Sequence, residues 1–237
     1  MSALPTPLNL KAWIDEHRHL LKPPVGNKVV WEDRDFMVSV VGGPNNRKDF
    51  HVNPTEELFF QVEGDIVLRV VDAHDQTHEL PIREGELFLL PPNVPHSPQR
   101  AAGTVGLVVE RRRPKGEDDH IRFYCEKCGE VVHDEQFEMA AVQSHFKRMM
   151  DEFWSDATMR TCMHCGTVVQ PPSGQVSPPP KDMAAPVVRV SPATKETPGR
   201  QARPGGSATA LRARTSAAPA RRAPIASGKK KVAIRGR

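Results

Sequence analysis

The chain has 237 residues, with 33 Lys+Arg against 29 Asp+Glu, a formal charge of +4. That near-balance hides a split: residues 171–237 hold 14 basic and 2 acidic residues, net +12, which leaves −8 on residues 1–170. About 170 residues with core-forming composition exclude a large multi-domain enzyme, and apolar stretches such as 87–90 and 105–109 are far too short to span a membrane.

The first residues show no basic segment followed by an apolar one, so no signal peptide is expected and the chain reads as cytoplasmic. Residues 8–21 place Leu10, Trp13, Ile14, His17 and Leu21 near a helical period, with Asn9 as cap, before Pro23, Pro24 and Gly26 break the pattern. Short β-rich runs follow at 36–41, 58–62, 66–71, 86–90 and 105–109, separated by turn signals such as GGPNN at 42–46 and PPNVPHSP at 91–98. Such spacing predicts an antiparallel sandwich or barrel and leaves no room for the crossover helices of a parallel sheet. A helix is expected over 135–156, where Phe137, Ala141, His145, Met149 and Phe153 form one i, i+4 row that would pack on the sheet.

All four cysteines fall in two pairs, Cys125-x2-Cys128 and Cys162-x2-Cys165, each followed by a glycine. Each pair can bite one tetrahedral ion, and two pairs close an all-thiolate site with no open position, so that site should be structural. Zinc and iron both suit it. Residues 171–237 contain no Phe, Trp, Tyr, His or Cys and 11 of the 23 prolines. Such a segment cannot bury enough apolar surface to offset its ordering entropy, so it is expected to be disordered, and its charge invites contact with polyanions.

A second metal set is His51, Glu57 and His96. Two imidazoles and one carboxylate suit ferrous iron with open positions, but among 10 histidines many such triads could be drawn. Two blocks of sequence narrow the choice. Arg47-x3-His51-x5-Glu57-x6-Gly64 resembles the first cupin motif, with Arg47 where a histidine is usual. Gly85-x5-Pro91-x-Asn93-x2-His96-x3-Arg100 resembles the second, with Asn93 in place of glycine and Arg100 in place of asparagine. Together with residues 22–36, 40–65, 89–100 and 105–113, these blocks resemble the bacterial 3-hydroxyanthranilate 3,4-dioxygenase family over roughly residues 8–170.

The resemblance implies a cupin-type β-barrel or jelly roll with flanking helices: a dioxygenase domain over 1–120, a four-cysteine metal segment with its helix packed on the cupin over 121–170, and the tail over 171–237. It also implies Fe(II) on His51, Glu57 and His96, substrate contacts from Glu57, Arg100 and Glu110, and Arg47 near the dioxygen and the substrate carboxylate. A rubredoxin-like iron would sit on Cys125, Cys128, Cys162 and Cys165. The implied substrates are 3-hydroxyanthranilate and O2. The implied reaction opens the ring between C3 and C4 to give 2-amino-3-carboxymuconate semialdehyde, a quinolinate precursor in tryptophan catabolism and NAD synthesis. The family suggests a homodimer. Two other readings use the same features: a non-catalytic metal-ribbon protein binding polyanions through its basic tail, and a cupin isomerase or sugar-acid binder that uses the same ligands without oxygen.

Overall fold

The computed structural model describes residues 6–23, 26–31, 35–114, 116–138 and 142–190. The described residues belong to one compact unit.

Helix α1 (Leu10–His17) continues into a 3-10 turn, Arg18–Leu20. The Asn9 side chain accepts from the Ala12 N–H at 3.0 Å, which satisfies one of the free donors at the helix start. The helix buries Ile14, and Leu21 joins it against Val40 and Val105. Eleven strands follow: β1 (Asn27–Trp31), β2 (Phe36–Gly42), β3 (Asp49–Val52), β4 (Glu57–Glu63), β5 (Ile66–Val71), β6 (Thr77–Ile82), β7 (Leu87–Leu90), β8 (His96–Arg100), β9 (Val105–Arg111), β10 (Asp119–Tyr124) and β11 (Val131–Phe137). Helix α2 (Val142–Ser155) closes the regular structure.

The strands form two antiparallel sheets, in the orders β1-β2-β9-β4-β7 and β11-β10-β3-β8-β5-β6. This is the cupin-type double-sheet arrangement expected from the sequence. Phe59, Leu90 and Val108 of the first sheet meet Ile66, Leu68, Val70, Leu80 and Ile82 of the second in one core. Alternation along β4 turns Glu57, Phe59 and Gln61 inward and leaves Leu58 and Phe60 half-buried on the other side.

Two expectations differ from what the chain forms. The segment 91–98 reads as a turn, yet His96 begins strand β8. Pro98 is tolerated there because the β3·β8 ladder holds a single pair, His51↔His96, so no N–H is required of Pro98 on that flank. The helix expected from residue 135 starts later, because 135–137 continue β11 and pair with Asp119–Ile121 of β10. Its packing face nevertheless holds: Met149 and Phe153 bury against Ile121, Phe123 and Phe137, and the Phe123 and Phe153 rings stack at 3.7 Å. Ala141 and the His145 side chain lie outside the described residues. Strand β10 runs through 120/121 and pairs with β3 on one side and β11 on the other.

Residues 171–190, expected to be disordered, are also held by partners distant in sequence. Asn46 Nδ2 donates to the carbonyls of Ser173 and Gly174. Arg83, paired with Asp65, donates to the carbonyls of Pro179, Pro180, Lys181 and Met183. The Ala73 N–H donates to Arg189 O, and Val188 and Val190 lie against the core shared by the two sheets. A proline-rich extended chain has unpaired carbonyls, and one guanidinium fork can serve several of them. Composition alone could not reveal this docking, because the partners belong to distant strands. The remainder of the expected tail, 191–237, lies outside the described residues. Truncation after residue 170 should therefore lower stability by about 2–4 kcal/mol through the two lost valine contacts and the lost carbonyl partners of Arg83. Truncation after residue 195 should cost under about 0.5 kcal/mol, as for a surface change. Urea unfolding of both forms checks this, and coincident midpoints would refute the docking.

Candidate active site

His51, Glu57 and His96 stand on three strands, β3, β4 and β8, and the fold brings them together. His51 on β3 and His96 on β8 are direct cross-strand partners, with ring centroids 5.2 Å apart. Glu57 opens β4 in the other sheet and faces them, so the set bridges the two sheets. One donor atom from each of the three lies within 4.8 Å of the others, close enough to share one ion.

Each ligand candidate has a second partner. His96 is buried, and its Nδ1 lies 3.0 Å from Val94 O. That contact fixes the ring and leaves Nε2 facing Glu57 Oε2 at 3.1 Å. Glu57 Oε2 also accepts from Asn53 Nδ2 at 2.9 Å. Asn93, the departure from glycine in the second motif, has φ +62°, a left-handed conformation that asparagine tolerates better than most residues. Its N–H donates to Asn53 O at 2.7 Å and holds the loop that carries Asn53. His51 Nε2 lies 2.7 Å from Asp119 Oδ2, and Asp119 is itself gripped by Arg113 through both carboxylate oxygens.

Glu110 is the cross-strand partner of Glu57 on β9. Arg113 Nη2 donates to Glu110 Oε2 at 2.7 Å, so one carboxylate oxygen of Glu110 is committed to an ion pair. The two glutamates are pushed in opposite directions. Burial alone would raise Glu57, but the charge of and hydrogen bond from His96, and then the charge of His51, hold it well below the usual carboxylate range. Burial and the Glu57 charge raise Glu110, with Arg113 only partly opposing them. This split suits Glu57 to hold a cation and Glu110 to exchange a proton.

The two arginines also differ. Arg47 is paired with Asp49 through both ends of its fork. Arg100 is 1% exposed, and among the described residues no carboxylate lies within ion-pair distance of it. Its Nη1 donates to Gln61 Oε1 at 3.2 Å, while its Nε has no partner. Burial, together with the nearby Arg47 charge and against the attraction of Glu57, brings its guanidinium down to about 10, still charged at neutral pH. A buried cation without a counter-ion is costly unless an anion completes it.

The four cysteines gather as expected, with all Sγ atoms within 4.8 Å of one another and no disulfide between them. The two halves fold alike. The Cys125 N–H donates to Glu130 O and the Cys162 N–H to Thr167 O, while the Gly129 and Gly166 N–H groups donate back to Cys125 O and Cys162 O. Both glycines have positive φ, 77° and 73°, which explains the residue that follows each pair. Contacts with the Thr167 hydroxyl and N–H lower the Cys165 thiol, while at Cys128 the contact with the Glu130 N–H is outweighed by burial and the neighbouring thiols, which raise it.

Asn53, Asp49, Gln61 and Asp119 were not singled out by the sequence. Asp49 stands two residues before His51, but no spacing marks Asp119, which is 68 residues from His51. Its carboxyl is held below the ordinary range: burial acts to raise it, and the hydrogen bonds from His51 and Arg113 outweigh that. The stability it contributes is complete above the unfolded value of about 3.9 and is lost as pH falls through the lower folded value. Asp119→Asn should therefore cost about 3 kcal/mol at pH 7, the scale for breaking one partner of a buried pair. The difference from the parent should shrink by about pH 3. Urea unfolding at the two pH values checks both statements, and a gap independent of pH would contradict them.

The family described as 3-hydroxyanthranilic acid dioxygenase matches residues 1–154. A 3-hydroxyanthranilate 3,4-dioxygenase of Jannaschia sp. (strain CCS1) is 51% identical over 173 residues, covering 71% of this chain and 96% of the relative. One from Xanthomonas campestris pv. campestris (strain B100) is 49% identical over 162 residues, covering 68% of this chain and 91% of the relative. Among solved structures, a cupin-2 domain containing protein from Shewanella frigidimarina aligns with TM-score 0.35 and 20% identity, over 42% of this chain and 92% of its own. A Neisseria meningitidis protein aligns with TM-score 0.36 and 24% identity, over 45% and 99%.

Proposed function

The chain belongs to the 3-hydroxyanthranilic acid dioxygenase family, and on that premise we propose that it opens the ring of 3-hydroxyanthranilate with O2. The product would be 2-amino-3-carboxymuconate semialdehyde, a quinolinate precursor. The observation that carries the substrate assignment is Arg100: buried, charged, and among the described residues without a counter-ion or a partner for Nε. An aromatic carboxylate would supply what it lacks. A non-catalytic scaffold would gain nothing from burying such a group.

His51, Glu57 and His96 would hold Fe(II), for which two imidazoles and one carboxylate are a fitting donor set. When bound, that metal would supply Lewis-acid and redox chemistry toward an aromatic substrate and dioxygen. Glu57 contributes the negative charge of the set, and the Val94 carbonyl and Asp119 keep the two imidazoles in place. Arg100 binds the substrate carboxylate and fixes the ring. Glu110, raised by burial and by Glu57, takes a proton from the substrate hydroxyl or amino group, and the ion pair with Arg113 keeps it ionised until that transfer. Arg47, already paired with Asp49, lies on the dioxygen side and is not the principal clamp.

The Cys125, Cys128, Cys162 and Cys165 site takes iron in this reading, with zinc as the other ion its sulfurs suit. It has no open position and keeps a structural role. Anaerobic loading with Fe(II) followed by 3-hydroxyanthranilate should give oxygen uptake, and fully loaded protein without uptake would falsify the assignment. His96→Ala should lose catalytic iron while keeping the cysteine-bound ion. Arg100→Ala should retain both ions and raise KM at least about tenfold, consistent with about 1.5–3 kcal/mol for a charge-assisted hydrogen bond; an unchanged KM rejects Arg100 as the clamp.

The function would be carried out by a cytoplasmic homodimer. Support for a second copy comes from the outward face of the first sheet, where Leu87, Leu89 and Phe36 are exposed. The basic segment beyond residue 190 is proposed to contact polyanions through counterion release. Two measurements on the full chain and on the form ending at residue 195 test these points. Both forms should sediment as dimers, and only the full chain should be retained on heparin at low salt. A monomer rejects the first proposal, and equal retention rejects the second.

A further inference from the structure

The substrate reading assigns Arg100 its task but not the means by which a buried guanidinium is held ready for an anion. We propose that Gln61 is a positioning residue that aims Arg100 without neutralising it, that Gly106 supplies the volume this requires, and that the pair sets preference for carboxylated over carboxylate-free aromatic substrates. The inference rests on the assignment of Arg100 as the carboxylate clamp.

Gln61 faces inward on β4, two residues beyond Phe59 and four beyond Glu57, and is 1% exposed. Its Nε2 donates to the Glu63 carbonyl at 3.0 Å. That acceptor dictates which end of the amide is nitrogen, so Oε1 is the end turned toward Arg100. The backbone is fixed as well. The Gln61 N–H donates to Glu86 O at 3.0 Å, and its carbonyl accepts from the Gly85 N–H at 2.7 Å. The β4·β9 register shifts between Gln61 and Glu63, and Arg18 grips the Glu63 carboxylate at 2.8 and 2.9 Å. The oxygen that meets Arg100 is thus set by a chain of contacts running back to the turn after α1.

The chemical type of residue 61 matters as much as its position. A carboxylate there would give Arg100 a permanent internal counter-ion, against which an incoming carboxylate would have to compete. An aliphatic side chain would leave Nη1 without an acceptor, and the buried cation would seek another orientation. A neutral amide satisfies one N–H and leaves the positive charge intact. Arg100 already has an orphaned Nε and no ion-pair partner among the described residues, which is the state a waiting anion site requires. Gly106 on β9 makes the arrangement possible. A Cβ at that position would lie 2.8 Å from Arg100 Nη1, 2.8 Å from Gln61 Oε1 and 3.1 Å from Arg100 Nη2. Any side chain there would displace the guanidinium or the amide. Neither Gln61 nor Gly106 belongs to the proposed metal ligands, so changing them should leave the ion in place.

The test measures anaerobic binding by calorimetry on the full-length, iron-loaded protein, with metal content verified, using 3-hydroxyanthranilate and the carboxylate-free analogue 2-aminophenol. Gln61→Glu should weaken 3-hydroxyanthranilate at least about tenfold and change 2-aminophenol less than about twofold. Gln61→Leu, which removes the acceptor without adding charge, and Gly106→Ala should each weaken 3-hydroxyanthranilate about three- to tenfold with the same selectivity; they carry the test if Gln61→Glu does not fold. Equal losses for the two ligands would mean general damage to the pocket and would overturn the proposal, as would undiminished preference for the carboxylate in these variants. Arg100→Ala separates the two levels of the argument. If it abolishes the preference while the residue 61 and 106 variants keep it, only the positioning role fails. If it too leaves the preference intact, the clamp assignment fails.

Discussion

The cross-strand pair His51↔His96 is the constraint around which the site is assembled. It is the one rung that joins β3 to β8, and it puts two imidazoles side by side at the inner surface of one sheet. Glu57 must then approach from the opposite sheet, at the start of β4. Pleat alternation places Phe59 and Gln61 on the same inward side. The carboxylate donor, the apolar wall and the contact to Arg100 are therefore consecutive inward positions of a single strand. A one-residue slip of β4 would turn all three away from the site.

Charge is distributed around this rung with little redundancy. Asp49 answers Arg47, and Arg113 joins Asp119 to Glu110. Asp119 in turn faces His51. Against that background of matched pairs, Arg100 stands out among the described residues as a buried cation served by a neutral amide. Desolvation is the dominant cost in such a pocket, and geometry that leaves a charge unpaired persists where a ligand completes it. The same logic separates the two glutamates on neighbouring strands. One is held ionised by imidazoles, while the other is lifted by burial toward proton exchange.

Strand β10 ties the two cysteine knuckles to this centre. It starts at Asp119, beside His51, passes Ile121 directly across from His51, and ends one residue before Cys125. Tyr124 packs edge-on against Phe50, the neighbour of His51. Helix α2 covers the other side of β10 through Phe153 and Met149. The cysteine segment thus continues the second sheet and shares its packing.

Much of this was legible in residue order. The Asn9 cap and the β-rich run at 66–71 carry local physics that needs no distant partner, as does the spacing of the cysteine pairs. Apolar patterning marks β2, β4, β5, β7 and β9, because those strands bury side chains in a regular way. The polar strands β3 and β8 could not be read like this: HSPQR has a proline and no apolar alternation, and it becomes a strand because β5 and β3 flank it. Residues 171–190 have the composition of a loose tail and are held by Arg83, Asn46 and Ala73, which are distant in sequence. Donor types, their motifs and the two thiolate pairs follow from residue order, since these depend on residue identity and short spacing. It takes the folded neighbourhood to show that Arg47 has a counter-ion and Arg100 none among the described residues, that Asp119 backs His51, and that Gln61 and Gly106 frame the guanidinium. Pairing and desolvation are properties of neighbours in space, and those neighbours come from strands that the chain order keeps far apart.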